Sequence, residues 1–318
     1  MLNLGFGTSR IEQTDLRVLG NLPQNKGQAM KYATGAGLVF LAGVLWSVQG
    51  LIIRNIHEAG SWAILFWRSA GMVPVLLLWI GWGSGGKIGR ELRSVGLPGV
   101  LGGLGLVMAF SGAIYAFQAT SVANAVLLFS ASPFFAAILG RALLHERVSA
   151  LTWIAIGLAA IGIAVMVGGG LAGGALDGNI AALLSALGFA IFTVTLRWGK
   201  LANMMPAVVL GGVFSMIAGA LALTVMQQAL LVPGREIAIA AAMGAITLTG
   251  GMLLYTIGSR VVPAAQSTLI SLVEVLLAPV WVWLFLGETV SQGTLIGGAV
   301  LLGAVVLNAY GGRRLATA

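Results

Sequence analysis

Glu274 is the only acidic residue near the middle of any long apolar run in this chain. An ionised carboxylate at that depth in hydrocarbon costs at least roughly a few kcal/mol unless it is paired, hydrated or protonated. Two roles are open to it. It can exchange protons or anchor a substrate's ammonium or hydroxyl groups, or it can be a protonated carboxyl bonded to a neighbouring helix. Ser267, Ser271 and Glu274 follow i, i+4, i+7 and so share one helical face, with Gln266 at its border. Asn124 and Ser132, spaced i, i+8, share a face of another run. Polar stripes of this kind fit a wet cavity. They equally fit interhelical hydrogen bonds of roughly 0.6–2 kcal/mol each. Arg68 lies about two turns inside its run, where it can contact an anion or snorkel to the interface.

Other chemistries are not indicated. There is no cysteine, which excludes a disulfide framework, thiolate catalysis and Cys-bound metals. The two histidines, His57 and His145, are too sparse for a metal cage. His145-Glu146 lacks the second His of a zinc helix, and no phosphate-binding glycine loop occurs in a credible context. The residues point to no enzyme and no cofactor.

The elements that carry these residues must lie in lipid. The chain has 318 residues, 58% hydrophobic and 8% charged, with a mean hydropathy of +1.00. A soluble domain is about a quarter charged. Runs of the roughly 20 apolar residues a spanning helix needs fall near 32–53, 61–82, 97–118, 121–140, 149–168, 179–198, 205–226, 237–259, 264–286 and 293–310. With the N-terminus inside, fourteen Lys and Arg fall on the inner side and only Arg54 and Arg235 on the outer, with Arg68 inside span 2. That asymmetry supports ten spans with both termini cytoplasmic. It also assigns the net charge of +8 to membrane topology and not to nucleic acid. Residues 1–31 read as a mobile cytoplasmic leader and 312–318 as a cytoplasmic tail. Trp62 and Trp82 bracket span 2 as interfacial aromatics, whereas Trp281 and Trp283 read as packing or lipid-facing residues.

The chain repeats. His145-Glu-Arg-Val-Ser-Ala-Leu-Thr-Trp-Ile154 is echoed 142 positions later by Gly287-Glu-Thr-Val-Ser-Gln-Gly-Thr-Leu-Ile296. Arg54 ends span 1 as Arg197 ends span 6, with Trp46 matched to Phe189 in that register. The reading is two five-helix repeats, 32–170 and 171–311. Five is odd, so the second enters from the opposite side and is inverted, the architecture of alternating-access carriers. Glu146 and Glu288 recur at span ends, where helix-end hydrogen bonding is expected. Gly99-x-x-x-Gly103 and Gly293-x-x-x-Gly297 are close-packing motifs that serve the fold or a dimer; monomer and homodimer both stay open.

Leu45-Trp46-Ser47 with Arg54, Phe66-Trp67-Arg68, Thr120-Ser-Val-Ala-Asn124-Ala-Val-Leu-Leu, and Val262-Pro263 through Glu274 to Leu286-Gly-Glu288 together resemble the EamA family of the drug/metabolite transporter superfamily over residues 32–310. The family often has Pro directly after the span-9 Glu; here Val275 follows and Pro279 comes later. The resemblance implies a ten-helix all-α carrier with a cavity lined by spans 1, 3, 4, 6, 8 and 9. It would place Trp46, Gln49, Tyr115, Gln118, Thr193 and Tyr255 on cavity helices, as aromatic walls with polar tips for an amphipathic ligand. It also implies a small-molecule substrate and a bacterial inner-membrane location. The expected function is secondary transport, export of amino acids or similar compounds foremost, with proton coupling through Glu274. Drug efflux, import of a vitamin or nucleotide-like molecule, and a membrane protein that transports nothing are the alternatives.

Overall fold

The structure is a computed structural model that describes residues 32–146, 148–171, 175–200, 203–259, 261–262, 267 and 270–316. The expected leader, Gln266, Pro263, Arg147, Arg260 and the last two residues of the expected tail lie outside the described residues. Among the described residues every regular element is helical. Lipid offers no partners for backbone N–H and C=O groups, and a helix satisfies its own.

Among the described residues nine helices are long and apolar enough to cross a bilayer: Tyr32–Arg54, Ser61–Gly83, Gly96–Ala119, Val122–Leu143, Ala150–Gly168, Leu176–Trp198, Met205–Val225, Gly234–Gly258 and Gln292–Ala309. They are spans 1 to 8 and span 10. At the span-9 position the described helix is Val273–Leu286, apolar but only 14 residues long. The last helix continues past the expected span, to Ala316. A short helix, Ile88–Ser94, joins spans 2 and 3.

Span 4 consists of two helices, Val122–Phe129 and Ser132–Leu143, separated at Ser130–Ala131. Pro133 has no N–H for the Phe129 carbonyl, which breaks the ladder there. Span 9 has a turn at Leu272, 142 positions after Ser130, and its helix resumes at Val273. The interruption is thus repeated at equivalent places, although span 9 has Val275 where span 4 has Pro133.

Packing follows the repeat. Span 1 packs on span 8 as span 6 packs on span 3; 2 on 8 as 7 on 3; 1 on 9 as 6 on 4. Spans 2 and 7, 4 and 9, and 5 and 10 pack on one another directly. Within this set, exchanging each span for its counterpart in the other half returns the same contacts. Counterparts also run in opposite directions. Gly212 of span 7 meets Met72 and Val73 of span 2, while Gly219 meets Trp62 and Phe66. In spans 5 and 10, Gly162 meets Gly297 and Leu301, and Gly297 meets Met166. These helices touch backbone to backbone: a Cβ at Gly162 would lie 2.7 Å from the Gly297 carbonyl oxygen. Without a hydrophobic drive between helices in lipid, such close approach is what holds them.

Candidate functional site

Three helices bring the central acid to an aromatic wall. In span 1, Gly43 leaves room for span 9: a Cβ there would lie 2.5 Å from Val273 Cγ1, 3.4 Å from the Ser271 carbonyl oxygen and 3.6 Å from the Glu274 amide nitrogen. One turn along span 1, the Trp46 indole N–H points to the Leu248 carbonyl of span 8, 3.5 Å away, and its ring lies 5.7 Å from that of Tyr255. Gly251 is required here, because a Cβ would meet Trp46 Nε1 at 2.2 Å. Trp281 closes the group by donating from Nε1 to Ser47 Oγ at 2.9 Å. Trp46, Tyr255, Ser271 and Glu274 are all half-buried. Glu274 occupies the first turn of the resumed span-9 helix. The positive end of that helix dipole favours a negative charge there. No cation of the described residues is within ion-pair distance of it.

Arg68 is a second isolated charge. It is 3% exposed, and its Nε and Nη2 have no hydrogen-bond partner among the described residues. Its guanidinium carbon lies 4.7 Å over the Phe110 ring of span 3. A desolvated cation–π contact is worth about 2 kcal/mol, but it offers the N–H groups no acceptor. Span 8 presses against this turn. A Cβ on Gly244 would lie 1.8 Å from the Arg68 carbonyl oxygen. Gly244 falls within Met243–Leu248, where span 8 widens to π-helical turns. Such turns recur at functional sites.

The recurring glutamates form ion pairs. Arg54 Nη2 lies 3.1 Å from Glu288 Oε2, and Arg197 Nη1 lies 2.7 Å from Glu146 Oε2. Glu288 stands to Glu146 as Arg197 stands to Arg54 in the repeat, so the two pairs are counterparts. Each arginine also donates to a backbone carbonyl, Arg54 to Thr120 at 2.8 Å and Arg197 to Ala136 at 3.3 Å. Glu288 Oε1 accepts the Val122 N–H at 2.7 Å. The pairs sit at opposite faces. Thr120, bound to Arg54, donates from its hydroxyl to Asn179 at the start of span 6. Arg197 lies 18 residues further along that helix, about 27 Å away. The adjoining caps repeat too. Ser149 and Thr152 hydroxyls lie 2.9 Å apart, as do those of Ser291 and Thr294.

The remaining predicted residues are elsewhere. Asn124 is buried in a polar knot, its amide donating to Asn179 Oδ1 and Thr120 Oγ1 and its carbonyl accepting from Thr294 at 3.2 Å. Gln118 joins span 3 to the loop before span 2, accepting from Ser61 Oγ at 2.5 Å and donating to the Ala59 carbonyl at 3.2 Å. Tyr115 is exposed in a 460 Å³ groove between spans 2, 3, 6 and 7, beside Ser61, Ser111 and Gln228. Thr193 bonds within its own helix, to Ala190. Ser267 is buried and reaches the Val262 carbonyl at 3.3 Å. Gln49 is buried and Ser132 half-buried.

Sequence reasoning passed over Glu236. Its carboxylate accepts backbone N–H groups from His57 at 2.9 Å, Glu58 at 3.1 Å and Ala59 at 2.7 Å, fastening span 8 to the loop between spans 1 and 2. The signal was a lone acid in the first turn after Pro233-Gly234. Asn179 was also passed over. In the sequence it sits beside Asp177-Gly178, where it reads as turn chemistry.

The chain resembles, over 87% of its length, a protein known from its crystal structure. The match covers 98% of that chain with a TM-score of 0.59 at 17% identity, and it speaks to the fold alone. No curated protein matches. The model of the EamA-like transporter family matches twice, over residues 33–168 and 176–310. The two matches fall on the two sets of helices whose packing and ion pairs are counterparts. The chain is a multi-pass membrane protein and belongs to the EamA-like transporter family, of the drug/metabolite transporter type.

Proposed function

We propose that the protein is a secondary carrier that works by alternating access and exports small amphipathic metabolites, amino acids foremost. In this reading it has ten spans in two inverted halves, with both termini in the cytoplasm of a bacterial cell and Glu274 at the substrate or proton site. The observation that carries the proposal is the pair of counterpart ion pairs. Arg54–Glu288 ties spans 1 and 4 to the span 9–10 junction at one face, and Arg197–Glu146 ties span 6 to the span 4–5 junction at the other. A carrier must close one face while it opens the other. Two locks of one chemistry, placed by one repeat at opposite faces, suit that task, because neither state is then greatly favoured. By the distribution of basic residues, Arg54–Glu288 is the periplasmic lock and Arg197–Glu146 the cytoplasmic one.

Untargeted profiling of metabolites lost from cells overproducing the protein tests this, followed by flux of the identified compounds from proteoliposomes. Export of amino acids that is absent in control cells is the expected result. Purified protein that binds these compounds but never moves them across a sealed bilayer would overturn the carrier reading. Selective loss of a different compound class would replace the cargo.

A further inference from the structure

The two ion pairs are alike, but what stands behind them is not. Behind Arg54–Glu288, the start of span 6 is pressed onto the turn between spans 3 and 4: a Cβ on Gly178 would lie 2.8 Å from the Ala119 carbonyl carbon and 2.8 Å from the Thr120 amide nitrogen. The same approach recurs at the other face, where a Cβ on Gly35 of span 1 would lie 2.3 Å from Val261 Cγ2 and 3.2 Å from Val262 Cγ2. Gly35 and Gly178 are counterparts, as are Val261 and Ala119, and Val262 and Thr120. The junction is therefore built twice, from different residues. Asn179, fully buried, accepts the Thr120 hydroxyl at 3.1 Å and also the Asn124 amide. In the register that matches Arg54 to Arg197, its counterpart is Ala36. Neither Ala36 nor Val262 has a polar side-chain atom, so the Thr120–Asn179 bond has no equivalent at the Arg197 face.

Asn179 reaches the lock through Thr120. The Thr120 hydroxyl is held by Asn179 and Asn124, and its carbonyl accepts Arg54 Nη2 at 2.8 Å. Asn124 also accepts the Thr294 hydroxyl at 3.2 Å, which ties the knot to span 10. Arg54 thus binds a carbonyl that buried side chains hold still. The Arg54–Glu288 side chains are 26% and 20% exposed, against 45% and 37% for Arg197–Glu146. Water replaces an exposed pair at little cost, whereas buried amide and hydroxyl groups lose partners that nothing replaces.

We infer that Asn179 is a positioning residue for the Arg54 lock, and that the empty carrier therefore opens preferentially at the Arg197 face. This rests on the carrier reading above and adds which face is open at rest. In the proposed topology that face is cytoplasmic, where an exporter takes up its cargo. The two hydrogen bonds that Asn179 accepts should bias the equilibrium about tenfold. A bias of that size still lets both faces open in turn.

The test is thiol labelling of the full-length protein in sealed vesicles of each orientation, by a membrane-impermeant maleimide. The reporter is Ser271→Cys, at a half-buried position beside Glu274. Asn179→Ala, which copies Ala36, should raise the labelling rate at the Arg54 face and lower it at the Arg197 face, changing the ratio of the two rates about tenfold. Thr120→Val, which copies Val262, should act in the same sense, so the test survives if Asn179→Ala does not fold. Thr120→Ser keeps the hydroxyl and should keep the wild-type ratio. Installing the pair at the other face, with Ala36→Asn and Val262→Thr, should move the ratio the opposite way. An unchanged ratio in folded Asn179→Ala and Thr120→Val overturns the inference. So do rates that rise at both faces together, since the knot would then support the fold alone. Reciprocal changes in a protein that moves no candidate compound in proteoliposomes would leave the bias standing and overturn the carrier reading.

Discussion

Removing the charge of Glu288 should unlock one face of the molecule. At 3.1 Å from Arg54 and an effective dielectric of about 20, the pair's gross attraction is roughly 5 kcal/mol. The side chains are 26% and 20% exposed, so desolvation and screening offset much of this, leaving about 1–2 kcal/mol. Every 1.4 kcal/mol is about tenfold. Glu288→Gln should therefore shift the equilibrium between closed and open forms of that face by roughly 5- to 30-fold. The natural chain has no cysteine, so a single reporter thiol carries no background. Ser271→Cys suits this, since the residue is half-buried beside Glu274. With a membrane-impermeant maleimide applied from the Arg54 face, Glu288→Gln should raise the labelling rate by that factor. The charge swap Arg54→Glu with Glu288→Arg should return it towards the starting value. Glu146→Gln should act from the other face and less strongly, about 2- to 5-fold, because its pair is 45% and 37% exposed. An Arg54-face rate that Glu288→Gln leaves unchanged, in protein that is folded and monodisperse, would refute the lock.

Glu236→Gln loses the charge and turns an amide NH2 towards backbone donors. It should cost about 2–4 kcal/mol of stability, read by denaturant unfolding in detergent. Gly244→Ala drives a methyl into the Arg68 carbonyl and should cost about 3 kcal/mol or prevent accumulation. Gly157→Ala is its control: nothing lies within 4 Å of that position, so the variant should be neutral or more stable by about 0.5–1 kcal/mol. In Glu274→Gln the response of flux to a pH gradient should disappear in proteoliposomes; flux equal to wild type at every pH would remove Glu274 from proton exchange.

The repeat was legible because it is a one-dimensional signal. Glu146 and Glu288 recur in matching local contexts, and so does the junction that holds them. Their partners were not legible. Arg54 and Arg197 recur at an offset of 143 while the glutamates recur at 142, so one alignment does not display both. An acid that recurs together with a base at nearly the same offset was the available clue. Glu274 stood out because hydrocarbon makes any lone carboxylate conspicuous. Asn124 and Gln118 have the residue types of a cavity lining, yet both lie within a turn of a span end, a depth at which knots and staples between helices are common. A composition-based reading cannot tell a polar group aimed at a cavity from one aimed at a neighbour, because rotation about the helix axis is set by packing. The turn at Leu272 has no proline to announce it and was visible only in the backbone.

Spans 5 and 10 meet through Gly162 and Gly297, each glycine against the other's carbonyl. The two spans are counterparts, so their pairing maps onto itself when the halves are exchanged, with Gly162 aligned to Ala304 and Gly297 to Ala155. A helix pair on the symmetry axis can serve as a fixed post. In the alternating-access reading proposed above, the 1–8 and 3–6 pairs, which map onto one another, would swing in opposite senses around it. Bulk added between Gly162 and Gly297 would move the post itself, and should impair passage in both directions alike.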